Sequence, residues 1–259
     1  LFKKEGVDLP KTPVSSEDYL KFARALHNPT GLFGTQIKAS LAESFPEWLP
    51  WFSEFGGELF DGEKNPVFNS DAGTKAFEFM LALSRYCHPE MGSSDNEQIL
   101  HLMHAGRIGI INHWSGQIGP ILDKTVNPTS KDMRFTHLKN PWGSIWSFGI
   151  NSASRNKEAS FSYLCWATSK KGDVGQLQYS GSPVRTSTFL NPELRSSHPW
   201  LAALESAIQS RRSFPDFVGF INTLGPLYEM VNSVLVGKVA IGNALATTAS
   251  KCRAALQQE

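Results

Sequence analysis

Cysteine is scarce: three residues in 259 (Cys87, Cys165 and Cys252), scattered and odd in number. They form neither a disulfide framework nor a metal-ligand spacing, and each reads as a small buried apolar residue. The redox compartment therefore stays open. No apolar run reaches the length that crosses a bilayer, and Leu1-Phe2-Lys3-Lys4 leads straight into folded sequence with no signal peptide in view. An excess of one charge is missing too. A net charge of +1 gives no electrostatic ground for nucleic acid or an anionic membrane as partner. Reaction machinery is absent at the level of motif: there is no G-x-S-x-G elbow, no Walker loop, no G-x-G-x-x-G after a strand and no H-E-x-x-H. His101 and His104 stand at i,i+3 without a Glu or further His nearby, so no metal and no cofactor is expected. Internal repeats and low-complexity tracts are also lacking.

What remains is a well-stocked core former, 41% hydrophobic and 19% charged, able to build one or two substantial cores. Ser15, with Asp18 three residues on, predicts a helix whose stripe is Tyr19, Phe22, Ala23 and Leu26. Leu32 to Lys38 reads as a strand. Asn69-Ser70-Asp71 opens a long helix, and Ser94 with Glu97 caps another. Ala105-Gly106-Arg107 turns into a strand over 108–112, and a short strand is expected near Met133 to Thr136. Further helices are expected over 157–169, 172–179, 199–210, 217–235 and 239–256, the last two separated by Gly237.

The stretch Ser44 to Phe55, SFPEWLPWFSEF, carries two Trp and three Phe in twelve residues. One reading is an amphipathic helix with its rings packed inward. The other places Glu43, Glu47 and Trp48 at the mouth of a cleft, where carboxylates accept hydrogen bonds from sugar hydroxyls and a ring covers a pyranose face. Trp114, at the end of a strand, is poorly placed for a core and well placed for a ligand. Arg185 either bonds a ligand hydroxyl or carboxylate in bidentate fashion or ties two loops together.

Several passages, in order, resemble the family 1 extracellular solute-binding proteins, the sugar-binding subunits of ABC importers. They include Gly56-Gly57-Glu58-Leu59-Phe60-Asp61, the strand-to-Trp114-Ser115-Gly116 passage, Ser144-Ile145-Trp146, Gly149-Ile150-Asn151 and Asn156-Lys157-Glu158-Ala159. Trp166-Ala167-Thr168-Ser169 and Gly181-Ser182-Pro183-Val184-Arg185-Thr186-Ser187 extend the match. The resemblance implies an α/β, type II periplasmic-binding-protein-like fold of two lobes joined by crossing strands, entered mid-fold with most of the first lobe absent. It places residues 1–143 and 212–259 in the second lobe and 148–206 in the returning part of the first. Hinges are expected near 144–148 and 207–214, pivoting about Ile145 and Phe214. The expected ligand residues are Glu43, Glu47, Trp48, Trp114, Ser144, Trp146 and Arg185, with none catalytic. The implied function is a monomeric extracytoplasmic receptor, periplasmic or a membrane-anchored lipoprotein, that delivers a sugar or polyol to an ABC permease. A glycan-active enzyme using the same acidic and aromatic residues is the rival reading, and a protein-binding module a third.

Overall fold

The computed structural model describes residues 1–144, 146–179 and 182–257, apart from the side chain of Gln178. Its α-helices are α1 (Ser16–Ala25), α2 (Ser44–Glu54), α3 (Asp71–Ser84), α4 (Asn96–His104), α5 (Ile118–Leu122) and α6 (Lys157–Ala167). There follow α7 (Lys170–Tyr179), α8 (Thr186–Phe189), α9 (Pro192–Ser197), α10 (Trp200–Ser210), α11 (Phe220–Leu235) and α12 (Ile241–Leu256).

Local chemistry explains most of these boundaries. The Ser15 hydroxyl accepts the Asp18 N–H at 3.1 Å, and Ser70 accepts that of Gly73 at 3.4 Å, which satisfies donors left free at each helix start. Gly56 ends α2 with φ at 83°, and Gly237 separates α11 from α12 at 72°, a region costly for any side chain. One expected cap shifts by a residue. Asp95, not Ser94, caps α4 by accepting the Gln98 N–H at 2.9 Å, while Ser94 is fully buried. Asn156 occupies the N-cap position of α6 but makes no side-chain capping bond.

None of the three expected strands forms a ladder among the described residues: 32–38 and 108–112 keep only isolated bridges, and Met133 to Thr136 has none. Phe33 bridges Ile108 in parallel, Val14 bridges Leu138, and Trp142 bridges Arg212. Next to the first of these, Gly34 lets the chain pass against α1, where a Cβ would lie 1.7 Å from the Ala23 carbonyl oxygen. Backbone cannot yield there as a flexible side chain would. Gly34→Ala should therefore cost at least about 2 kcal/mol, within the range of overpacking, read as a lowered urea midpoint with unchanged slope.

Three apolar cores result. The largest combines α1, α2 and α3 with α11 and α12 and includes Phe45, Trp48, Phe52, Phe77 and Leu227. The second unites Ile118 on α5 with Leu177, Phe189, Trp200 and Leu201, and the third gathers Ile99, Met103 and Ile121. Helix α5, expected in one lobe, thus packs on α7 and α10, expected in the other. Helix α6 is different: none of its residues is buried, and Phe161, Tyr163 and Trp166 are 62, 60 and 59% exposed.

The two expected crossing segments lie side by side. Gly143 N–H donates to the Arg212 carbonyl at 3.0 Å, and Arg212 N–H donates to that of Pro141 at 2.9 Å. The Trp142 ring meets Phe214 edge to face at 5.6 Å, with the Arg212 guanidinium 5.6 Å from the centre of the same indole. Ile145, the expected pivot residue, lies outside the described residues.

Candidate functional site

A cleft of about 2460 Å³ opens beside this crossing, and its walls include Glu43, Glu47, Trp114, Ser144 and Trp146. Five of the seven expected ligand residues thus share one space. Three elements bring them there: the start of α2 supplies its N-cap Glu43 and Glu47, the turn after the 108–112 segment supplies Trp114, and the crossing chain supplies Ser144 and Trp146. Trp114 is half-buried, whereas Trp146 stands 93% exposed.

The other two lie elsewhere. Trp48 is completely buried, stacked on Phe52 at 4.1 Å and on Phe77 at 5.3 Å. Its position one residue past Glu47 on a helix turns its side chain about 100° away, from cleft to core. Arg185 is absent from the cleft wall. Its Nε donates to the Thr168 carbonyl at 2.5 Å, and its backbone N–H donates to Asp173 Oδ2 at 3.2 Å, so it ties the loop to the end of α6. Buried Asp173 organises this loop further by accepting the Val184 N–H at 2.8 Å and the Thr188 hydroxyl at 2.5 Å.

The two acidic residues differ. Glu43 Oε1 accepts from Asn96 Nδ2 at 2.6 Å, while Oε2 is buried with no protein partner among the described residues. Burial raises the Glu43 carboxyl above its ordinary range, with nearby Lys38 opposing the shift. Glu47 is paired: its Oε1 lies 2.5 Å from Lys38 Nζ. Burial raises this carboxyl also, against the pull of the ammonium.

Lys38, Asn96 and His113 also line the cleft and were not marked from sequence. A charged residue at the end of an apolar run, and a His directly before a loop Trp, are signals too common to single out without the fold. His113 Nδ1 accepts the Trp114 N–H at 3.0 Å, which leaves the proton on Nε2, a buried atom without a partner among the described residues. Burial, reinforced by the Lys38 charge, lowers the imidazole from 6.5 to about 3. Between these values the unfolded chain binds a proton that the folded chain refuses, so stability falls as pH drops through that window. The loss should approach about 1.4 kcal/mol per pH unit at most. The Glu47 carboxyl acts in the opposite sense as pH rises above its ordinary 4.5. The difference between wild type and His113→Phe therefore isolates the imidazole, and equal slopes in urea titrations from pH 7 to 4 would contradict its neutral state.

Among the described residues no group of three or more His, Cys, Asp or Glu is placed to hold a metal, and His104 Nε2 lies 3.1 Å from the Pro120 carbonyl oxygen. No described helix is long and apolar enough to cross a membrane.

An α/β molecule with two paired crossing segments and a cleft beside them has the architecture of type II periplasmic-binding proteins. The likeness is direct: a ribitol-bound ABC transporter solute-binding protein from Agrobacterium radiobacter superposes with a TM-score of 0.85 at 20% identity. That alignment covers 98% of this chain and 66% of the other. The model of the bacterial extracellular solute-binding protein family matches residues 1–174, and the chain belongs to that family. A probable amino-acid ABC transporter periplasmic-binding protein of Sinorhizobium fredii is 28% identical over 218 residues, 80% of this chain and 49% of that protein. The mannitol-binding protein of Pseudomonas aeruginosa is 24% identical over 280 residues, 95% of this chain and 63% of that protein. The chain thus spans between about half and two thirds of the length of these relatives.

Proposed function

We propose that this protein is the solute-binding receptor of an ABC importer and that its cleft takes a sugar or polyol. The observation that carries the reading is the meeting of Glu43, Trp114, Ser144 and Trp146 in one cleft beside paired crossing segments. Indole faces cover the C–H surface of a polyol, and Glu43 Oε2 and Asn96 Oδ1, both buried and unpartnered among the described residues, accept from its hydroxyls. Relatives named for mannitol and crystallised with ribitol support this class of solute.

In this reading residues 1–143 and 212–259 form the second lobe and 148–206 belong to the first, with hinges at 144–148 and 207–214. The uncovered rings of α6 are the face on which further first-lobe structure packs. Closure about the crossing pair buries the solute and excludes bulk water, and the closed form is what the permease accepts. The receptor acts as a monomer outside the cytoplasmic membrane, free in a periplasm or tethered by lipid.

Calorimetry of the protein as its gene encodes it, against D-mannitol and ribitol, tests the proposal. Saturable one-to-one binding, with both solutes recovered unchanged, is expected. Shortened products from an oligosaccharide panel would favour the enzyme instead. Against hydrolysis stands the placement of Glu43, the N-cap of α2, and Glu47 four residues on, on one wall of the cleft, where they do not flank a glycosidic bond.

A further inference from the structure

The ion pair between Lys38 and Glu47 is deeply buried, with side chains only 1% and 5% exposed. Such a pair contributes little to stability, because removing both charges from water offsets their attraction. Its contacts point to another use. Lys38 Nζ lies 2.5 Å from Glu47 Oε1 on α2, 3.4 Å from the Asn112 carbonyl oxygen, and 5.6 Å from the centre of the Trp114 ring. Two of its hydrogens therefore address oxygens in separate elements while the charge faces an indole π cloud. Trp114 belongs to none of the three apolar cores, so core packing does not fix its ring.

We propose that the Lys38–Glu47 pair positions Trp114 for the solute: the ammonium holds one face of the indole and leaves the other to the cleft. This rests on the receptor reading of the cleft. Lys38 is a positioning residue, since its hydrogens are committed to Glu47, Asn112 and the ring. Glu47 is correspondingly the counterion of Lys38 and not a ligand acceptor, which leaves Glu43 as the carboxylate that addresses the solute. A ring held in place before binding loses less side-chain freedom when the solute arrives.

The test uses the encoded protein with its tryptophans replaced by 5-fluorotryptophan, the Trp114 fluorine signal being assigned by Trp114→Phe. The double variant Lys38→Met/Glu47→Met removes both charges and leaves apolar side chains of similar length, so the thermal midpoint should hold or rise. In it the Trp114 signal should move or broaden while those of Trp166 and Trp200, far from the pair in sequence, stay, and affinity for D-mannitol or ribitol should fall at least tenfold. An unmoved signal overturns the proposal, and so does a moved signal with wild-type affinity. Should the double variant not fold, the wild-type Lys38 ε-methylene protons give the answer. Their upfield ring-current shift should vanish in Trp114→Leu, which has no ring current, and its persistence counts against the pair as positioner. Wild-type protein that binds neither polyol overturns the polyol reading, and the fluorine and ring-current signals then judge the pair alone.

Discussion

Replacing Trp114 with alanine should weaken polyol binding at least tenfold, or about 1.4 kcal/mol, and Trp146→Ala should do the same. The two rings reach the cleft by different routes. Trp114 sits in the turn after the 108–112 segment and is half-buried against Lys38, whereas Trp146 projects from the crossing chain at 93% exposure. An indole that open gains most when a solute and the closing lobe cover it together. The losses should differ in origin as well. Trp114→Ala removes a preset surface, so its effect should persist when the cleft is held open. Trp146→Ala removes a contact completed on closure, so its effect should depend on hinge motion. Calorimetry with D-mannitol and ribitol on the encoded protein measures both, and wild-type affinity in either variant would take that ring out of the site.

Trp48→Ala should destabilise the fold by about 3–5 kcal/mol, the usual range for deleting a large aromatic from a tight core. Trp48 is fully buried between Phe52 and Phe77, and its removal opens a cavity where α2 meets α3. Polyol affinity of the molecules that remain folded should not change, because the ring lies behind the cleft wall. Urea unfolding with a polyol titration below the transition separates the two effects. A weakened affinity with unchanged stability would instead put Trp48 at the cleft mouth. Trp48→Phe should be milder, since a ring still fills most of the space.

That contrast marks where reading the sequence runs out. Helix starts were legible because the capping chemistry is local. Ser15 and Ser70 each bond an N–H three residues on, and the shift from Ser94 to Asp95 falls within the ambiguity of adjacent polar residues. The expected strands did not form as ladders, because pairing depends on partners distant in sequence, and only isolated bridges such as Phe33 with Ile108 are made among the described residues. In the aromatic segment of α2, apolar periodicity alone did not separate the core ring of Trp48 from the cleft carboxylates at Glu43 and Glu47. Arg185 was left between two roles, and the Thr168 carbonyl decided for the loop.

By itself the sequence determined the kind of chain this is: helices where caps and stripes specify them, and ordered passages that resemble one family of receptors. These are short-range or pattern properties, carried by residues a turn or a motif apart. Only the tertiary structure decided which side chains meet. It brought Lys38 under Trp114 across 76 positions of chain, put Trp142 and Arg212 side by side, and left the rings of α6 uncovered. The reason is physical: a charge or a ring acquires its role from what lies within a few ångströms of it, and in this chain those neighbours come from elements far apart in sequence.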